Sequence, residues 1–404
     1  MRVLFTTTPA PGHFHPLLPL ASAARAAGHE VAFATGRPIS DLAEAMGFRT
    51  FEAGLSRDGD QDAEFLELKK SARGLPPTGI EMDRIAIARV LYGVRTRRMV
   101  PDLLALARMW RPDVVVRDSY EVGGAVAAEC LGVPHAALDT TPLYDMSPLR
   151  GDIQRELDQA REEAGLAPDP EQRMLHRHLH LCCAPPSYLP SGRSRPATLR
   201  ALRPMPFDRA DGEELPDWVR RLPDRPLVYV TFGTITNRWV PGAFPGLFSA
   251  VLRAFEDEPV NVVATVDRDS DPADLGPQPP HIRVERYIPQ SLLLPLCAAA
   301  VTHGGFNTVV GAFHAGIPQI VVPFLGDHPY NARRCAELGL ARVVDPAELT
   351  TEGVREAVRE VMTAPEYRAG AQRMRAELRE LPGPREAVGL LERLAAGKGL
   401  EDHM

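Results

Sequence analysis

The run AAAVTHGGFNTVVGAFHAG, Ala298 to Gly316, most constrains what this chain can become. An apolar strand over Ala298–Thr302 meets a tight turn at His303-Gly304-Gly305, and a helix is predicted from Phe306 to Ala315, stopped by Gly316. Two glycines between strand and helix let backbone N–H groups approach a ligand closely. The helix N-terminus adds unpaired donors and the positive end of the dipole, a combination that suits a phosphate. Asn307 and Thr308 supply side-chain donors in the first turn, and His303 stands at the strand's end within reach of a second phosphate oxygen. An ordinary strand–glycine–helix connection would read the same, and local sequence leaves both open.

The same strand-then-helix rhythm runs through most of the 404 residues, a length that suggests two domains or three. Strands are predicted at Arg2–Thr7, Glu30–Ala34, Phe48–Phe51, Asp113–Arg117 (ending at Asp118) and Pro134–Leu138. Helices are predicted at Pro16–Ala27, Ile39–Met46, Ile80–Trp110 and Glu121–Leu131. This is a doubly wound parallel α/β half. It lacks G-x-G-x-x-G, so a nicotinamide dinucleotide site has little support. Pro185 to Pro226 holds nine prolines and few apolar runs and reads as a joint. Beyond it, strands at Leu227–Thr231, Asn261–Val266, His281–Glu285, Ala298–Thr302, Gln319–Val322 and Ala341–Val344 form a second α/β half.

Composition excludes several classes. A net charge of −7 argues against a general nucleic-acid binder. No apolar run approaches the ~18 residues of a membrane span. The five cysteines are odd in number and include no C-x-x-C, which fits reduced thiols in a cytoplasm. Three clusters imitate metal sites. Asp58, Asp60 and Asp62 resemble a calcium loop, but Ala63 and Lys69 stand where Gly and Glu are needed. Alternation in HRHLHLCC puts His178, His180 and Cys182 on one strand face; such neighbours rarely close a tetrahedral site without distant ligands, so no metal is assigned. Asp267, Asp269 and Asp271 read as an acidic surface loop in preference to a metal–diphosphate site.

Five pieces stand in order: P-x-x-G-H at Pro9–His13, LPDRPLVYVTFGT at Leu222–Thr234, YIPQ at Tyr287–Gln290, the HGGFNT turn, and FLGDHPYNA at Phe324–Ala332. Together they make the chain resemble the UDP-glycosyltransferase superfamily, and within it the actinobacterial transferases that attach deoxysugars to polyketides, enediynes and macrolides. The resemblance covers nearly the whole chain. It implies a GT-B fold: two facing Rossmann-like domains with parallel sheets and a cleft between them. The boundaries expected are residues 1–195 for the acceptor domain, 196–225 for the linker and 226–380 for the nucleotide-sugar domain, with 381–404 forming a helix that crosses back to the first.

The resemblance also implies roles. His13 matches the general base and Asp118 the carboxylate that holds it. An imidazole can take a hydroxyl proton near neutrality, and a carboxylate on its far nitrogen sets the tautomer. Tyr287 matches an aromatic that stacks on the nucleobase, with Ile288 and Gln290 beside it. Gly233, Thr234, His303, Gly304, Gly305, Asn307 and Thr308 match the diphosphate contacts, which would make a metal unnecessary. Asp327 and His328 match a donor-sugar pair, His328 replacing the usual Gln. Gly311 stands where UDP-sugar enzymes carry a ribose-gripping glutamate, which fits a dTDP-sugar. The expected reaction is inverting transfer to a hydroxyl of an apolar natural product in antibiotic biosynthesis, without a cofactor. Leu55–Tyr92 and Thr140–Met146 are expected to shape the acceptor pocket. Expected partners are the acceptor and donor molecules, with neither nucleic acid nor membrane; the sequence leaves the oligomeric state open, a homodimer being one option. Competing readings are C- or N-glycosyl transfer, an NDP-sugar epimerase, and a non-catalytic partner of another transferase.

Overall fold

The computed structural model describes the chain except for residues 60–61, 77–78, 143, 193–194, 207–212, 235, 237–239, 241, 268 and 399–404. It divides into two compact units, Met1–Pro204 with Leu381–Met404, and Met205–Glu380.

In the first unit the described residues form a parallel sheet of strands β1 (Arg2–Thr6), β2 (Glu30–Thr35), β3 (Arg49–Glu52), β4 (Val114–Asp118), β5 (His135–Asp139), β6 (Leu179–Cys182) and β7 (Leu199–Ala201). Their order is β3-β2-β1-β4-β5-β6-β7. The central strands are buried on both faces, as helix-covered parallel strands must be, and β4 is buried along its whole length. The chain reverses its direction of growth between β1 and β4, opening a crevice at their C-terminal ends. β7 lies inside the residues read from sequence as linker. It pairs with β6 through Leu181↔Arg200, so this unit runs to Pro204 instead of ending at residue 195. Its three residues carry no apolar run that would mark a strand.

The helix expected over Ile80–Trp110 is one helical run of uneven winding. It is α-helical at Ile80–Asp83, widens into π turns over Arg84–Arg95, and continues as α-helix through Thr96–Trp110 with Pro101 inside. The apolar stripe survives: Ile87, Tyr92 and Val100 are buried in one cluster, and Met99, Leu103, Leu106 and Trp110 in another.

The second unit carries β8 (Leu227–Thr231), β9 (Asn261–Thr265), β10 (Ile282–Glu285), β11 (Ala299–Thr302), β12 (Gln319–Val321) and β13 (Ala341–Val343), all parallel, in the order β10-β9-β8-β11-β12-β13. The reversal falls between β8 and β11. Among the described residues no helix is long and apolar enough to cross a membrane.

The last helix, Pro384–Ala395, packs on Leu18–Ala26 of the first unit, where His29 Nε2 lies 2.9 Å from Glu392 Oε1. Its inward face is Ala387, Val388, Leu391 and Leu394. Leu391→Ala, at a fully buried position, is expected to destabilise this unit by about 2–5 kcal/mol, read as a lower urea midpoint at unchanged slope. An unchanged midpoint would mean that the helix contributes nothing to the unit's stability.

Candidate active site

The β1–β4 crevice gathers the first group. Beyond β1, the short helix Pro11–Phe14 carries His13, and β4 ends on Asp118. Parallel pairing of β1 with β4 brings the two strand ends side by side (Thr6↔Arg117). His13 Nδ1 lies 3.1 Å from Asp118 Oδ1; the imidazole is 23% exposed and the carboxylate fully buried. Asp118 Oδ1 also accepts from the amides of Tyr120 (2.8 Å) and Glu121 (3.1 Å). Its Oδ2 accepts from the Thr8 amide (2.7 Å) and the Thr7 hydroxyl (3.0 Å). Burial pushes this carboxyl upward, but His13 and the backbone amides outweigh burial and hold it below the ordinary aspartate range. An ionised carboxylate only accepts, so Nδ1 of His13 carries the proton and Nε2 presents the lone pair.

Two neighbours complete this group, and neither stood out in the sequence. Tyr120 stands edge-on to His13, ring centroids 5.6 Å apart, and its hydroxyl accepts from Thr141 Oγ1 at 2.7 Å. Glu121, buried, takes the Thr6 hydroxyl and the Gly124 amide. Burial raises its carboxyl to about 7. Thr7, Thr8, Pro9, Tyr120, Glu121 and Arg95 are among the residues around a small open cleft. Of the stretches expected to shape an acceptor pocket, Leu55 and Leu91 line this cleft, while Thr140–Met146 does not; residue 143 lies outside the described residues.

The second unit gathers the other group at the ends of β8 and β11. Gly233 follows β8 with φ +79°, and Gly304 follows β11 with φ +84°. A Cβ on Gly233 would come within 2.6 Å of His303 Nε2, and one on Gly305 would also collide with it. Both glycines are thus needed to seat the imidazole. His303 is buried; desolvation lowers its pKa to about 4 against a hydrogen bond with the Thr231 backbone, so the ring is neutral. Its Nδ1 is buried without a partner among the described residues. Gly305 caps the helix Phe306–Ala315, whose first turn holds exposed Asn307 and buried Thr308. Thr234 is exposed beside Gly233.

His328 is the first residue of the helix His328–Glu337. Its ring is buried edge-on to His303 at 4.6 Å, and its Nδ1 accepts from the amides of Phe324 (3.4 Å) and Leu325 (3.3 Å). That nitrogen is committed to the loop, which leaves Nε2 for any ligand. Burial, and then His303, keep this ring well below the usual histidine range. Asp327 accepts from Asn331 Nδ2 at 2.7 Å, and the same amide donates to the Gly304 carbonyl at 2.9 Å. Asn331 therefore ties the loop before the His328–Glu337 helix to the glycine turn. It lies within the motif FLGDHPYNA, but nothing in its type or spacing announced this bridge.

Tyr287 follows β10; its ring is 53% exposed and its hydroxyl donates to Glu213 at 3.1 Å. Ile288 is buried in the core beside Leu294 and Ala312, so only its backbone is available to a ligand. Gln290 starts a short helix, and its amide nitrogen is buried without a partner among the described residues, 3.9 Å from where a Cβ on Gly311 would lie. The space beside Gly311 is filled: that Cβ would meet Leu294 Cδ1 at 2.9 Å.

The metal mimics have other uses. Among the described residues no three His, Cys, Asp or Glu side chains form a group that could hold an ion. His176 Nδ1 meets His180 Nδ1 at 2.7 Å, and His180 Nε2 approaches Asp139 at 3.4 Å. Cys182 and Cys183 are buried. Asp271 caps a turn through the Ala273 amide and pairs with Arg286, while Asp267 accepts the Ser270 hydroxyl. Asp62 caps the helix Ala63–Ser71; residue 60 lies outside the described residues.

Residues 22–233 match the N-terminal domain, and 249–394 the C-terminal domain, of the family described as erythromycin biosynthesis protein CIII-like. The chain belongs to this family. It is a natural-product glycosyltransferase with the GT-B fold. Among its relatives, aklavinone 7-beta-L-rhodosaminyltransferase of Streptomyces galilaeus is 31% identical over 98% of this chain and 96% of its own. The 10-deoxymethynolide desosaminyltransferase of Streptomyces venezuelae is 31% identical over 98% and 97%. Among solved structures, the glycosyltransferase VinC in complex with dTDP superposes with a TM-score of 0.79 at 28% identity, covering 98% of this chain and all of VinC.

Glu121 yields a pH prediction. Its folded pKa of about 7 lies above the ordinary glutamate value of 4.5, so the folded chain holds this proton more tightly than the unfolded chain. That contribution is present below the unfolded pKa and is lost as pH rises through about 7. Glu121→Gln, which keeps the site neutral, should therefore melt higher than wild type at pH 8 and no higher at pH 4. Parallel melting curves across pH would contradict the assignment.

Proposed function

We propose that this transferase moves a deoxysugar from a dTDP-sugar to a hydroxyl of a hydrophobic natural product, with inversion and without a metal. The observation that carries the reading is the His13–Asp118 pair, a surface-reaching imidazole held by a fully buried carboxylate. The acceptor hydroxyl oxygen attacks the anomeric carbon. Its proton passes to Nε2 of His13, and Asp118 stabilises the imidazolium that forms. The bond from the anomeric carbon to the diphosphate oxygen breaks, and its electron pair leaves with dTDP. Because attack and departure share one step, the centre inverts.

The leaving charge falls to the second unit's turn. Backbone amides at Gly304–Asn307, the start of the Phe306–Ala315 helix and the Thr308 hydroxyl supply donors, with Thr234 from the β8 loop. In this reading Tyr287 stacks on the base through its exposed ring, and Asp327 and Nε2 of His328 face sugar hydroxyls. The preference for dTDP over UDP is supported by Leu294, which fills the place where a side chain from position 311 would grip a 2′-hydroxyl. It is supported also by the dTDP in VinC and the thymidine diphosphate in SsfS6, a 26% identical glycosyltransferase. The free thiols of the five cysteines fit a cytoplasmic setting.

His13→Ala should lose at least ~10³-fold in turnover while keeping dTDP affinity, measured by thermal shift. Wild type at a hundredfold excess of dTDP over Kd should gain about 2.7 kcal/mol, with a smaller gain from UDP at the same concentration. Turnover surviving in His13→Ala would remove the base from the scheme, and a larger shift with UDP would remove the dTDP assignment.

A further inference from the structure

Arg117 has no part in the scheme above, yet it is the largest fully buried side chain among the described residues. It precedes Asp118 on β4, where Val114, Val115 and Val116 are its neighbours. A guanidinium at such a place carries a heavy desolvation cost unless its donors are used. Here Nη1 donates to the carbonyls of Asp118 (3.2 Å), Ser119 (3.0 Å) and Glu121 (3.4 Å), and Nη2 to that of Leu175 (2.7 Å). Three of the four acceptors belong to the turn that surrounds the catalytic carboxylate.

We propose that Arg117 is the positioning residue of the catalytic turn, aiming the peptide that hands its amide to Asp118. The linkage is geometric. In a trans peptide the carbonyl and the N–H point in opposite directions. Arg117 holds the Ser119 carbonyl, so the Tyr120 N–H of the same peptide points away from it. That N–H donates to Asp118 Oδ1 at 2.8 Å, and the same oxygen holds His13 Nδ1 at 3.1 Å. A peptide polarised at its carbonyl by a cation is also a stronger donor at its N–H. The guanidinium thereby acts on the base through one peptide and one carboxylate.

Its charge acts as well. The titratable groups facing Arg117 are Tyr92 from the π turns, Asp118 and Glu121 from its own turn, Asp139 and His135 from β5, and His176 before β6. Three are carboxyls with no other buried cation among these neighbours. Arg117 offsets their mutual repulsion, and a cation beside the carboxylate that holds His13 disfavours a second positive charge on that ring.

The inference rests on the His13–Asp118 reading, and three variants separate the two. Arg117→Met removes charge and donors; Arg117→Lys keeps the charge but cannot span four carbonyls. In Arg117→Met, kcat should fall about 100-fold with dTDP affinity unchanged. The rising limb of kcat/KM against pH should move up by about half a unit or more, because loss of a nearby cation favours the imidazolium. In Arg117→Lys the limb should stay in place while kcat falls about 10-fold. An unmoved limb in folded Arg117→Met, or wild-type kcat in Arg117→Lys, would overturn the inference. If the Met variant does not fold, kcat of the Lys variant decides. An inactive His13→Ala beside unaffected Arg117 variants would sink the inference alone, whereas an active His13→Ala would sink the reading beneath it.

Discussion

A single buried carboxylate organises the first unit's site. Asp118 has no solvent contact and would neutralise itself if left alone, since burial favours the uncharged acid. It stays ionised because Thr7, Thr8, Tyr120, Glu121 and His13 all donate to it. Those donors come from two chain segments more than a hundred residues apart, joined by the parallel pairing of β1 and β4. The site thus depends on the sheet register: a slip between these strands would remove donors from Asp118 and the carboxylate from His13 at once.

The second unit solves a related problem with neutral groups. An imidazole is buried among glycines, a second imidazole covers its edge, and Asn331 bridges the two loops. With His303 and His328 both neutral, the turn presents dipoles and N–H donors without a net charge of its own. That suits a ligand whose charge changes during reaction, because fixed dipoles can stabilise a leaving diphosphate without paying a full ionic desolvation penalty. The two units share the order of their first six strands, each with its reversal at the sheet centre, although they do not repeat in sequence.

Much of this was legible in the linear chain. β1, β4, β5, β8, β9, β11 and the glycine turn were readable because buried parallel strands are written as short apolar runs closed by turn residues. The turn His303–Thr308 stands out because two glycines separate a strand from a helix, whereas His13 and Asp118 were singled out by the family resemblance, and the structure brings those two within 3.1 Å. β7 was not legible: an edge strand of three residues is held by its partner β6 and has no pattern of its own. The π winding over Arg84–Arg95 was hidden because an apolar stripe looks nearly alike at slightly different residues per turn. HRHLHLCC looked like a ligand set in sequence, but its histidines are drawn to separate neighbours, His178 to His135 and His180 to His176 and Asp139.

The fold class, the strand–turn–helix units and the types of residue that stand at the strand ends were already set in the amino-acid sequence. These are local properties, set by periodicity, glycine placement and side-chain chemistry. Only the tertiary structure decided which groups act together. Arg117 reads in sequence as a charge closing an apolar strand, and Glu121 as a residue opening a helix. Both are buried against Asp118's turn because β4 lies between β1 and β5. Their ionisation and their partners are set by how far each is removed from water and by what meets it there, quantities that exist only once distant segments have packed.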